Sequence, residues 1–192
     1  MTDSKLRTDP VAPGKRDRLI AAAAQMVYEQ GVEATTIADI AQAAGIPVGN
    51  VYYYFKAKND IIAAVIDSRA GDIRDLLAAI EACHDRPADR VKALLRAIGG
   101  DGEIVARFGC PLGTLCQELS KHPGGPDPSI LLRLPIDWAE RQFAAMGRAD
   151  ARELAVQVIA AYQGTALLTS ALRDPGVMAR ESARIEAWLD SL

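Results

Sequence analysis

Between Gly49 and Lys58 the chain gathers one glycine, one asparagine, three consecutive tyrosines and two lysines. These are residue types suited to a polyanionic groove. A glycine lets backbone approach closely, the Asn50 amide can pair with a base edge or hold a phosphate, and tyrosine hydroxyls donate to phosphate oxygens. On a helix that turns about 100° per residue, Val51 and Phe55 share one side, Gly49, Asn50 and Tyr53 fall on the other, and Tyr52 lies beside them. A helix packed on one side cannot bury three adjacent positions, so at least one of Tyr52, Tyr53 and Tyr54 points outward. Lys56 and Lys58 follow at the C-terminal end, where cations complement the helix dipole and can reach a DNA backbone.

The elements that must position these residues are helices. Apolar residues recur by threes and fours almost everywhere, and no stretch alternates as a half-buried strand does. Lys15 to Gln30 reads as a first helix, with Leu19, Ala23, Met26 and Val27 on one face and Gly31 as its stop. Thr36 can cap a second, with Asp39 reaching back to it, and that helix ends at Gly45. A third begins near Pro47 and finishes by Phe55. Two short helices joined by Gly45, Ile46 and Pro47 form a helix-turn-helix. Further helices are read from Lys58 to before Pro87 and at 88–98, 111–121, 130–146, 153–172 and 176–189, with a loop over 122–128. The expected fold class is all-α, about nine helices. It comprises an arm over 1–14, a three-helix helix-turn-helix domain over 15–57 and a larger helical domain over 58–192.

Residues 15–62 resemble the N-terminal domain of the TetR family of transcriptional regulators. The likeness rests on Thr36, Ile40, Ala41, Ala44, Gly45 and Ile46 around the turn, and on Tyr52, Tyr54, Phe55 and Lys58 at the end of the third helix. It implies DNA contacts at Thr36 and Ala38 on the second helix, at Val48, Gly49, Asn50, Tyr52, Tyr53 and Tyr54 on the third, and at Lys58. Val48 and Asn50 depart from the residue types the family often carries there, which makes base preference a property of this chain. The resemblance also implies an effector-binding C-terminal domain and a homodimer whose last two helices meet their copies in a four-helix bundle. Leu154, Val158, Thr165, Leu172, Ile185, Trp188 and Leu189 are the expected dimer interface. Trp188, Leu189 and Leu192 would be an odd exposed patch on a monomer.

The bulk numbers agree with that expectation. The 192 residues are 49% hydrophobic and 24% charged, enough to bury a core. The net charge of −3 argues against indiscriminate coating of nucleic acid. Basic and acidic groups balance over residues 1–60, so the rest of the chain carries the whole excess. Three irregularly spaced cysteines do not make a disulfide framework, and a reducing cytoplasm is the expected location. No apolar run approaches the ~20 residues of a membrane-spanning helix, the longest candidate running from Leu19 to Tyr28.

An enzyme is not expected, because no nucleophile elbow, phosphate loop, dinucleotide fingerprint or zinc-protease motif is present. Both histidines, His84 and His122, are expected at the surface, and neither a metal nor a cofactor is expected. Cys110 and Cys116, six apart around a helix, point away from each other. Both read as small buried residues, although Cys110 precedes Pro111 at a helix N-terminus that can lower a thiol pKa.

The expected function is a repressor bound to a palindromic operator in double-stranded DNA and released by a small apolar or aromatic effector. Its alternatives are a ligand-independent regulator or activator, and a thiol sensor acting through Cys110. An effector pocket is expected between the fourth helix and the helices of 111–172. Phe108, Trp138, Phe143 and Tyr162 are candidate walls, and Cys110, Gln117, Gln142 and Gln163 are candidate polar contacts. Helix phase predicts that Trp138 and Phe143 do not both face inward.

Overall fold

A computed structural model describes residues 13–121 and 124–192. Most of the arm expected over 1–14, and the position expected for His122, lie outside the described residues. The described residues form ten helices and no strand. They are α1 (Lys15–Gln30), α2 (Ile37–Ala43), α3 (Val48–Tyr54), α4 (Lys58–Cys83), α5 (Pro87–Gly99), α6 (Gly102–Phe108), α7 (Pro111–Leu119), α8 (Ile130–Ala145), α9 (Ala151–Leu172) and α10 (Pro175–Asp190). Nine of them follow the apolar periodicity. The tenth, α6, is a seven-residue helix between Gly100 and Gly109, capped by the Asp101 carboxylate, which accepts from the Glu103 N–H at 2.9 Å.

Local chemistry sets the starts of the helices. Thr36 and Asp39 form the expected capping box: the Asp39 N–H donates to Thr36 Oγ1 at 3.2 Å, and the Thr36 N–H donates to Asp39 Oδ2 at 3.2 Å. Asp60 does the same for α4, accepting from the backbone N–H groups of Lys56 at 2.8 Å and Ala57 at 3.0 Å. Proline at the first position opens α5, α7 and α10. Gly45 turns the chain between α2 and α3 at φ 63°, a conformation that costs other residues and not glycine.

Helices α1 to α3 form a head. Val51 and Phe55 pack with Leu19, Ile20, Ile40 and Ile46, and Ile61, Ile62 and Val65 of α4 continue the same core. In the body, α8 lies against α4, α5, α7 and α9, so it is covered on more than one side. Trp138 and Phe143 are accordingly both fully buried, contrary to the helix-phase expectation. That expectation holds for a helix with one buried face, and α8 has two. Helix α10 is fastened to α5 by Arg96, whose Nε donates to Glu186 at 2.8 Å, and by an ion pair between Lys92 and Asp190.

Helix α9 is, by length and composition, apolar enough to cross a membrane, which amends the reading that no stretch qualifies. Its Leu154, Val158, Ile159, Tyr162 and Ala166 are core residues among α6, α8 and α10.

Candidate functional site

The outward side of α3 carries the residues expected there. Val51 and Phe55 are buried, Gly49 and Asn50 are exposed, and Tyr52 and Tyr53 are 48% and 80% exposed. Tyr54 is half-buried and meets Tyr53 edge to face with ring centroids 5.0 Å apart. Among the described residues, the Asn50 amide and the hydroxyls of Tyr52 and Tyr53 have no hydrogen-bond partner, so they are available as donors. Lys56 Nζ donates to the Tyr52 carbonyl at 2.8 Å, and Lys58 Nζ to the Glu33 carbonyl at 3.3 Å. Lys56 thus sits against the tyrosine surface, and Lys58 against the connection between α1 and α2. Thr36 and Ala38 are exposed beside it on α2, but the Thr36 hydroxyl already donates to Asp39 Oδ2 at 2.6 Å. It can act toward a phosphate only by giving up that contact.

A cavity of about 410 Å³ lies where head and body meet. Its apolar walls include Ile73 and Leu76 of α4, Leu94 and Ile98 of α5, Leu112 of α7, Leu132 and Pro135 of α8 and Ile159 of α9. Its polar groups are Gln25 and Tyr28 of α1, Arg69 and Asp72 of α4, Cys110 at the start of α7, and Tyr162 and Gln163 of α9. A second hollow of about 430 Å³ adjoins it, sharing Cys110, Leu132 and Gln163 and adding Cys116 and Gln117. Gln163 Nε2 lies 3.5 Å from Cys110 Sγ, and the Gly113 N–H points at the same sulfur at 3.4 Å. The Tyr162 hydroxyl donates to the Ile98 carbonyl at 2.5 Å, and burial pushes its pKa up, as it does that of Tyr28. Burial also pushes the Cys116 thiol up to about 11, with Cys110 adding to the effect.

Of the eight residues expected at the effector pocket, Cys110, Tyr162 and Gln163 line this cavity. Gln117 lines the adjoining hollow instead. Phe108 packs on Tyr28, ring centroids 5.4 Å apart, and faces a separate surface hollow. The other three belong to the core. Trp138 Nε1 donates to Glu81 Oε1 at 2.7 Å, Gln142 Oε1 accepts from Arg90 at 3.3 Å, and Phe143 packs near Trp188 with centroids 6.4 Å apart.

Residues 19–65 match the model for bacterial regulatory proteins of the tetR family. An uncharacterised HTH-type transcriptional regulator of Lactococcus lactis is 29% identical over 170 residues, covering 85% of this chain and 87% of its own length. The regulator TtgR of Pseudomonas putida is 40% identical over 103 residues, covering 53% of this chain and 49% of its own. The crystal structure of a TetR transcriptional regulator from Legionella pneumophila superposes with a TM-score of 0.83 over 95% of this chain and 98% of that one, at 20% identity.

Residues 19–65 are the helix-turn-helix domain of TetR-family transcriptional regulators, and α3 is its second helix-turn-helix element.

In the body the expected interface residues divide. Leu154, Val158, Thr165 and Leu189 are buried within the protomer. Ile185 and Trp188 are half-buried along a shallow groove against Gln157 and Ala161. Leu172 alone of the set is openly exposed, and Leu168, 51% exposed, lies one turn before it on α9; Val156 and Leu167, the latter 64% exposed, point out on another side of the same helix.

The sequence reading also missed Gln25, Tyr28, Arg69 and Asp72 at the cavity. Arg69 carried a signal: it occupies a position in the apolar register of α4, between buried Val65 and buried Ile73. A charged residue in that register points to a function or an ion pair.

Backbone and base contacts are separable by mutation. Tyr52→Phe and Lys56→Ala are expected to weaken binding to operator and non-operator duplexes alike, Lys56→Ala flattening the plot of log affinity against log salt by about 0.9. Asn50→Ala is expected to change the preferred bases instead. Fluorescence anisotropy across a salt series reads both. Unchanged affinity and slope in the two backbone variants would put the contact face elsewhere on the head.

Proposed function

We propose that the protein is a homodimeric cytoplasmic repressor that occupies a palindromic operator and leaves it when a small molecule fills the cavity between head and body. The observation that carries this reading is the division of α3: its inward side chains are locked into the head core, and its outward amide and phenol groups are left without partners. Two such helices related by a twofold axis would read inverted half-sites about 34–36 Å apart, or a multiple of that. Occupancy of such a site is enough to block a promoter. The DNA contacts proposed are those of Asn50, Tyr52, Tyr53, Lys56 and Lys58, with Thr36, Ala38, Val48, Gly49 and Tyr54 flanking them.

The cavity supports the effector part. It exceeds the ~300 Å³ at which small-molecule sites begin, and its apolar walls are joined by polar groups from α1, α4, α7 and α9 that could orient a ligand. A ligand-independent regulator would have no use for such a cavity. The thiol-sensor alternative is weakened by the burial of Cys110 and by the raised pKa of Cys116. Dimerisation is proposed through the exposed face of α9 and not through the buried residues of α9 and α10.

Selection from random duplexes tests the operator part, and recovery of only non-symmetric sequence would overturn it. Leu76→Trp, which fills the cavity from α4, tests the effector part. It is expected to preserve operator binding while abolishing release by any compound that displaces the wild type. A variant still released by the same compound at the same concentration would move the effector site.

A further inference from the structure

Resting on that effector reading, we propose that the cavity takes an amphipathic monoanion, an aromatic or short-chain carboxylate, with its carboxylate on the Arg69 guanidinium where α4 meets α1. Arg69 is the one cation among the described lining residues. Its ion pair is with Asp72, a 3.4 Å contact one turn along the helix between side chains 36% and 63% exposed. A pair of that kind is held weakly in water. An incoming carboxylate with an apolar body displaces Asp72, which simply rehydrates, and gains a planar guanidinium that can engage both of its oxygens.

Hydrogen-bond accounting narrows the ligand further. The Tyr28 hydroxyl donates to the Gly109 carbonyl at 2.8 Å, and the Tyr162 hydroxyl donates to the Ile98 carbonyl. Each phenol has spent its single proton, so toward the cavity each oxygen can only accept. Gln25 Nε2 is engaged by Glu29. The fitting molecule therefore carries an acceptor group for Arg69, an apolar body against Ile73, Leu94 and Ile159, and a hydroxyl that donates to a tyrosine oxygen.

The position has a consequence for signalling. Gln25 and Tyr28 belong to α1, so the ligand touches the DNA-binding head directly. Tyr28 is also a clasp between α1 and the body, as is the Val32 N–H donating to Glu118 at 2.7 Å. A carboxylate on Arg69 sits beside the first clasp, where a small displacement of α1 against α7 moves α3.

Calorimetric titration of the intact protein with 4-hydroxycinnamate and with its methyl ester tests the proposal, since the ester keeps body and hydroxyl and loses the charge. Octanoate and its methyl ester repeat the comparison with a flexible body and no hydroxyl in either member. In at least one pair the acid is expected to bind about tenfold or more tighter than its neutral partner. Arg69→Gln is expected to erase that preference and leave neutral-partner affinity within about twofold, whereas Asp72→Asn strengthens acid binding about threefold. A purely structural role for Arg69 would weaken both members of a pair together, with no gain in Asp72→Asn, and would overturn the assignment. Neutral partners that bind as well as the acids and release the operator overturn the anion and leave the effector reading intact. Failure of all four probes to bind at millimolar concentration overturns the cavity as an effector site, and this proposal with it.

Discussion

Leu168→Asp is expected to split the dimer while leaving each protomer folded. Leu168 is 51% exposed in the protomer and lies on α9 one turn from exposed Leu172 and next to Leu167, which is 64% exposed. Three exposed leucines so close together are unusual on a monomer and support the proposed dimer seam there. In an interface built on a twofold axis the substitution enters twice. Each carboxylate would lose water without gaining a partner, an effective cost of several kcal/mol per ion. Even about 3 kcal/mol in total weakens dimerisation more than about 100-fold.

Sedimentation velocity at low micromolar concentration reads the result, and circular dichroism checks the fold. On the proposed reading of the operator by two heads, affinity for a palindromic duplex should fall in parallel. Trp188→Asp is a poorer test. Trp188 is half-buried against Phe143, so a carboxylate there damages the protomer and the two effects cannot be separated. A Leu168→Asp protein that remained dimeric would move the seam off this face.

The interface shows where periodicity runs out. Leu154, Val158 and Thr165 follow a clean apolar stripe on α9, and they are core. Val156 and Leu167 lie on the opposite side of the same helix, and they are exposed. A helix with two apolar faces does not record which of them meets its own protomer. The same ambiguity placed Trp138, Gln142 and Phe143 at a pocket when the layers around α8 make them core.

By contrast, the outward side of α3 was legible because the helix is short, one-sided and punctuated by its own chemistry. Gly45 and the Thr36–Asp39 capping box fix the turn, and Val51 and Phe55 fix the phase. Helix α6 was not legible. Seven residues between glycines offer too few turns to show a period. Nor was the share of α1 in the cavity, since a division of the chain at residue 57 assigns Gln25 and Tyr28 to the head before the body's contacts with them are known.

Trp138→Ala is expected to lower the stability of the fold by about 3–5 kcal/mol, the cost of deleting a fully buried aromatic in a core that only partly collapses around the void. Domains of this size are stable by only about 5–15 kcal/mol, so much of the margin would be lost. The indole is packed where α8 crosses α4, and its N–H donates to Glu81 at 2.7 Å. Glu81 is exposed, so its carboxylate regains water when the indole goes, and the loss comes from packing and not from an orphaned charge. Trp138→Phe keeps most of the buried surface and should lose only about 1–2 kcal/mol.

Urea unfolding at a fixed protomer concentration measures both, since dimerisation makes the midpoint depend on that concentration. The functional corollary separates core from cavity. At temperatures where Trp138→Phe is folded, its ligand affinity should match the wild type. Tyr162→Phe, which removes a hydroxyl from the cavity wall and leaves the Ile98 carbonyl without its donor, should bind the same ligand more weakly. The reverse pattern, with ligand binding sensitive to Trp138→Phe and indifferent to Tyr162→Phe, would place the effector beneath α8 and not between α1, α4 and α9.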